Sequence, residues 1–304
     1  MQKKGSLSHY LYDFWKLLGV ILVVFLALTI KVNYIGETDE VSQFDYLSLF
    51  WDDEGDEWRE DATQEGDEHG ISIWFIELCE EYRILCTKTT FNGEFSTREK
   101  ADYFEQVSSI ISQIDTTARR GEYLETVFTT ILLNQAKGSR RGSSGRTNLT
   151  MNLGGLKYSD EFRQVFTHEV GHIMDLGALQ GKSRTKNNSF TEFGKTVFAI
   201  DDPSIEYYKY SRQSETIRKT WVKKLDFCSG YGMTDPFEDF AECHNLYLNH
   251  NNVFQLLARS NIPLRNKYNY FANLYGGSYF SDSSLVTRGL TNSRRAWDTT
   301  RIQE

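Results

Sequence analysis

The spacing of apolar positions marks out elements before any residue is given a role. The longest apolar run lies near the start, LLGVILVVFLALTI at Leu17–Ile30. Counted outward to Phe14 and Tyr34 it holds 21 residues, about 31 Å of helix against a hydrocarbon core of ~30 Å. Lys16 and Lys31 would snorkel to the two interfaces, and Tyr12, Trp15 and Tyr34 stand where aromatic belts form. Lys3, Lys4 and Lys16 precede the run and acidic sequence follows it, so the positive-inside bias places the N-terminus in the cytoplasm and the rest outside. A cleaved signal peptide, giving a secreted chain, is the competing expectation, although no clean small-x-small site follows the run.

Beyond residue 70 the pattern becomes that of a globular α+β unit. ISIWFI at 71–76 is β-branched and aromatic and predicts a buried strand. Ser96-x-x-Glu99 is a capping box that opens a helix to about Ile114. Tyr123 to Leu133 predicts a second strand, KGSRRGSSGR at 137–146 a flexible basic loop, and the alternating TNLTMNL at 147–153 a third strand. A helix runs from Asp160 to about Leu176, with Ser159 as its cap. Helical spacing appears at Phe190–Ala199 and Ile205–Leu225. Asp235-Pro236 reads as N-cap and N1 of a helix to about Asn249, and shorter helical patterns follow near 251–258 and 263–274. The last residues, rich in Ser, Thr and Arg, predict a loose tail. The expected organisation is 1–13 cytoplasmic, 14–34 transmembrane anchor, 35–70 acidic linker, 71–280 folded domain and 281–304 tail.

Charge changes this picture in one respect. The chain has 42 acidic and 34 basic residues, net −8. Residues 37–68 hold fourteen acids and one base, a local net of −13, which leaves +5 for the remainder. The acidity is therefore a segment property. With no overall basic excess to neutralise phosphates, nucleic acid is not expected as a partner. DDEGDE at 52–57 lacks the ligand spacing of an EF-hand. The four cysteines, Cys79, Cys86, Cys228 and Cys243, form no C-x-x-C pair. An exported domain permits disulfides among them, Cys79–Cys86 being the local option, and free buried thiols are the alternative.

The chemistry concentrates at THEVGHIMD, residues 167–175. His168 and His172 are four apart, so a helix projects both imidazoles from one face, in reach of a single Zn²⁺. Glu169 is beside them, placed to act as general base on a water. Phe166, Val170, Ile173 and Met174 form the apolar back of the same helix. A catalytic zinc needs a third protein ligand, and Glu238, Glu242 and His244 compete for that place.

YGMTDPFEDFAE at 231–242, following an HExxH that carries Gly171 and Asp175, resembles the catalytic domain of anthrax lethal factor and its relatives. These are gluzincin metallopeptidases with HExGHxxD and a later Tyr…Glu-x-Phe-x-Glu. The resemblance covers residues 160–176 and 230–247. It implies a zincin-like fold with Glu238 as third zinc ligand, Tyr231 as donor to the oxyanion, and Glu242 behind the metal, accepting from a zinc-bound imidazole. Asp175 matches the motif's aspartate and is expected in a structural or supporting role. Independently, Glu238 and Glu242 are i, i+4 and can share the face turned to the HExxH helix. Other uses of the same residues stand beside these: Glu238 as capping-box partner of Asp235, Tyr231 as a core tyrosine, Glu242 at the surface, His244 and His250 as surface or capping histidines.

These readings combine into a membrane-anchored zinc endopeptidase acting on protein or peptide substrates, tethered by one N-terminal helix, with TNLTMNL, by analogy with zincins, as the edge strand along which a substrate lies. A catalytically silent zinc-containing interaction module of a membrane-associated assembly is the rival from another class. A zinc amidase acting on cell-wall peptides is a third.

Overall fold

The structure is a computed structural model that describes residues 65–117, 124–157, 159–280 and 295–302. The expected anchor at Phe14–Tyr34 and nearly all of the acidic segment lie outside the described residues. Among the described residues, no helix is long and apolar enough to cross a membrane.

Helices α1 (Glu65–Glu81) and α2 (Arg83–Lys88) lead into strand β1 (Thr89–Asn92) and the long helix α3 (Thr97–Thr117). The expected strand at 71–76 is instead part of α1. A short continuous apolar run does not distinguish strand from buried helix. Here Phe75, Leu78 and Tyr82, at helical spacing, pack against the core, with Phe75 edge-on to Phe104 of α3 at 6.0 Å, while Ile73 and Ile76 face outward. The capping box at the start of α3 is present: Glu99 Oε2 accepts from the Ser96 N–H at 2.8 Å, and the Glu99 N–H donates to Ser96 Oγ at 3.2 Å.

A single turn of helix, α4 (Leu124–Val127), precedes β2 (Thr130–Asn134), so only the second half of the strand expected at 123–133 is extended. The basic loop contains a three-residue strand, β3 (Gly142–Ser144), and β4 (Asn148–Asn152) follows. The mixed sheet has the order β1-β2-β4-β3, with β1, β2 and β4 parallel and β3 antiparallel to β4. The expected edge strand TNLTMNL is instead interior, its residues 148–152 paired on both sides, because the basic loop supplies β3 as the edge on the side of the candidate site. One face of the sheet carries Ile131 and Leu133 of β2 and Leu149 and Met151 of β4. All four are buried, their strand neighbours only partly so, as the period of two requires.

Helix α5 (Ser159–Ile173) continues into a π-helical turn at Met174–Ala178. The helices expected at 190–199 and 205–225 shrink to α6 (Pro203–Tyr208) and a 3-10 turn at Lys224–Asp226. Local polar groups capture the backbone first. Asn187 Oδ1 accepts the N–H groups of Ser189 and Phe190, and Gly194 turns the chain at φ +84. Helix α7 (Pro236–Asn249) starts as read: Asp235 Oδ1 accepts from the N–H groups of Phe237 and Glu238 at 2.9 and 2.8 Å, with Pro236 at N1. Helices α8 (Asn251–Arg259) and α9 (Ile262–Leu274) complete the helical part. Both possible local cysteine pairs are formed, Cys79–Cys86 and Cys228–Cys243.

Helices α5 and α7 cross at Gly171 and Ala241. A Cβ on Gly171 would stand 2.9 Å from the Ala241 Cα, so the glycine is what lets the two backbones meet. Ala241 is the residue at the crossing; Phe240 points instead into an aromatic cluster with Tyr207 and Phe271, at 5.0 Å from each.

Candidate metal centre

The close crossing brings the front of α5 against the first turns of α7. Glu238 Oε2 lies 3.2 Å from His168 Nε2 and 3.4 Å from His172 Nε2. One ligand atom from each of His168, His172 and Glu238 falls within 4.8 Å of the others, so this group can hold a metal ion. Glu238 Oε2 is also buried without an aligned hydrogen-bond donor. A buried carboxylate oxygen without a donor is costly unless a cation completes it. Two imidazoles and a carboxylate converging on one point form the donor set that a borderline-soft divalent ion takes, so the residues present fit a metal.

Electrostatics points the same way. Burial pushes the His168 imidazole down, but the Glu238 and Glu242 carboxylates beside it push it up and prevail, so His168 holds its proton well above the usual range. Burial alone would raise the Glu238 carboxyl; the His168 and His172 imidazoles facing it outweigh burial and hold it well below the usual range. The pocket thus favours positive charge.

Glu242 is fully buried, and its Oε1 lies 3.1 Å from His168 Nδ1. The separation is that of a hydrogen bond, although the pair is turned off the ideal line. With Nδ1 turned to Glu242, Nε2 is the nitrogen that faces Glu238 and that a cation would take in place of a proton. The backbone N–H of Glu238 is capped by Asp235, but its carboxylate faces the imidazoles, so only the first half of the capping-box reading applies. Tyr231 opens a 3-10 turn (Tyr231–Met233), donates its hydroxyl to Glu238 Oε1 at 2.8 Å and stacks near His168 at 6.4 Å between ring centres. Burial and then the Glu238 charge push the Tyr231 phenol far up, so it keeps its proton as a donor.

Glu169 points to the edge strand. Its Oε2 accepts from Ser144 Oγ at 2.5 Å, and its carboxylate lies so close to β3 that a Cβ on Gly142 would stand 2.6 Å from Oε1. Asp175 sits in the π-helical turn, where both its oxygens lie 2.7 Å from the Tyr208 hydroxyl. Among the described residues no hydrogen bond joins it to His168 or His172, so it ties α5 to α6. His244 and His250 are buried, not at the surface. Thr167 O lies 3.0 Å from His244 Nδ1 and can only accept, so Nδ1 carries the proton and Nε2 accepts from the Tyr275 hydroxyl at 2.6 Å. Burial pushes His244 down to about 3, so it stays neutral.

Three contributors had no sequence signal: Ser144 and Gly142, on a strand too short to show a period, and the segment 295–302, which had been expected to be loose. That segment carries a 3-10 turn (Thr299–Arg301) packed against the site. No family model matches this chain, and neither a curated protein nor a solved structure matches it.

Proposed function

We propose that the chain is a zinc-dependent peptide-bond hydrolase with a zincin-like fold, its zinc held by His168, His172 and Glu238. The observation that carries the reading is the buried Glu238 Oε2, without an aligned hydrogen-bond donor, facing two imidazole nitrogens at 3.2 and 3.4 Å. Zinc at that point supplies Lewis acidity, which makes a water nucleophilic at neutral pH and polarises a carbonyl.

The chain's own residues do the rest. Glu169 takes the proton of the attacking water at its carboxylate and returns it to the leaving amine. Ser144 holds one of its oxygens, which limits the directions the other can point. Tyr231, still protonated, donates a hydrogen bond to the oxyanion that develops on the substrate carbonyl. Glu242 sets the tautomer and angle of the His168 ring. A binding module needs neither a base nor an oxyanion donor, and this favours the enzyme over the silent module. The Phe14–Tyr34 run supplies the membrane anchor, with the hydrolase outside the cytoplasm. Two disulfides agree with an oxidising compartment.

The purified chain is expected to bind one zinc and to cleave members of a peptide library. Glu169→Gln should keep the zinc and lose about 10²–10⁴-fold in turnover. Zinc without turnover in the wild type establishes the interaction module instead, and turnover untouched by Glu169→Gln removes the proposed base. A reporter fused after residue 40 that reads as cytoplasmic overturns the orientation.

A further inference from the structure

Residues 296–302 are tied to four segments around the site. Gly230 and Tyr231 donate their N–H groups to the carbonyls of Ala296 and Trp297 at 2.8 and 2.7 Å. Asp298 pairs with Arg141, the residue before β3, and Arg141 also bonds Thr300 Oγ1 at 2.8 Å. Ile302 accepts from Gln164 of α5 at 2.9 Å. Between these ties Thr299, itself fully buried, meets α7. Its backbone N–H donates to Glu242 Oε2 at 2.7 Å, and its hydroxyl accepts from Asn245 Nδ2 at 3.1 Å.

Glu242 is therefore held by one oxygen while the other faces the metal-binding side. One oxygen faces His168 Nδ1, and the other is fixed by a donor that belongs to the main chain. A carboxylate with neither oxygen held can rotate about its last side-chain torsion, which is broad; the Thr299 N–H restricts that freedom. A ligand imidazole inherits its orientation from the group behind it. We infer that residues 296–302 are a positioning element of the metal centre: the Thr299 N–H fixes Glu242, and through it the tautomer and ring angle of His168. The inference rests on the metal reading of this site, and not on hydrolysis.

The donor is a backbone group, so the test is made at the backbone. Thr299 opens the 3-10 turn after an extended Asp298 (φ −145, ψ 124), a setting that accepts proline at position 299. Thr299→Pro removes the N–H, and Thr299→Ala removes the hydroxyl and keeps it. Zinc dissociation constants are measured on the full chain by competition with a chromophoric chelator. Thr299→Pro should weaken zinc on the order of tenfold relative to Thr299→Ala, the low end for losing support behind a ligand. In a Glu242→Ala background that gap should close, because the N–H then has nothing to position.

Equal affinities for the proline and alanine variants overturn the inference. So does a gap that persists undiminished in the Glu242→Ala background, since the loss then comes from general loosening. A wild-type chain that binds no zinc removes the metal reading and this inference together. A chain that binds zinc and cleaves nothing removes the hydrolase alone and leaves the result at position 299 to be read as before.

Discussion

Replacing Gly142 by alanine tests whether the edge strand sets the position of Glu169. The backbone of Gly142 does not lie in the left-handed region, so alanine meets no φ penalty there. The obstacle is space. The new Cβ would stand 2.6 Å from Glu169 Oε1, 2.8 Å from its Cγ and 2.9 Å from Val165 Cγ1. Restoring an ordinary contact of 3.4 Å requires the Glu169 carboxylate to retreat by about 0.8 Å. A displacement near 1 Å of a reacting group costs about 10²-fold in rate. Zinc affinity should change little, because the substitution does not touch His168, His172 or Glu238. The assay is kcat/KM on a cleaved peptide, with zinc content and melting temperature measured on the same samples. Gly155→Ala is the control from the neighbouring turn, where a Cβ would stand 3.5 Å from its nearest neighbour, Arg141 Cγ. A Gly142→Ala protein that keeps wild-type kcat/KM with full zinc occupancy would refute the reasoning, since Glu169 would then not need the place β3 gives it.

Other expectations concern stability and pH. Lys267 Nζ is buried against Asp239 at 2.6 and 2.9 Å and the Asp226 carbonyl at 3.0 Å. Lys267→Met should cost about 3–5 kcal/mol in urea unfolding by stranding the Asp239 charge, and adding Asp239→Leu should recover much of the loss. The Cys228–Cys243 bond spans 15 residues; reducing it in a Cys79→Ser/Cys86→Ser background should cost about 3 kcal/mol, read from melts with and without reductant. Burial lowers His250 to about 4, so its unfolded form takes up a proton first as pH falls. Its contribution is full above the ordinary histidine value near 6.5 and is lost progressively below it, by about 1.4 kcal/mol per pH unit down to the folded value. The wild type should therefore lose stability faster than His250→Gln between about pH 6.5 and 4. The comparison with the variant is needed because Asp115 and Asp202, raised by burial to about 6, act in the opposite direction.

The legible parts of the sequence were those written in local chemistry. The Ser96–Glu99 box, the Asp235-Pro236 start and the i, i+4 pairs His168/His172 and Glu238/Glu242 each depend on neighbours within one turn. ISIWFI failed because its six residues fit a strand or a helix equally, and only α3 decides which face is covered. Ser144, Gly142 and Thr299 were invisible because their partners lie 25, 27 and 57 residues away in sequence. A three-residue strand and one turn of 3-10 helix carry no period. His250 does stand at the cap between α7 and α8, but the burial of His244 and His250 was illegible because it is set by Thr167, Tyr275 and Gln164, all remote in the chain.

Where Gly171 meets Ala241, one main chain comes against the other with no room for a side chain at residue 171. That contact works as a mechanical stop. The aromatic residues around it can be exchanged with some slack, but the helices cannot close further, and the gap left between imidazoles and carboxylate is bounded from below. The space left between the His168 and His172 imidazoles and the Glu238 carboxylate is therefore bounded in part by a hydrogen atom at residue 171, which a methyl group could replace only by pushing against Ala241 and His244.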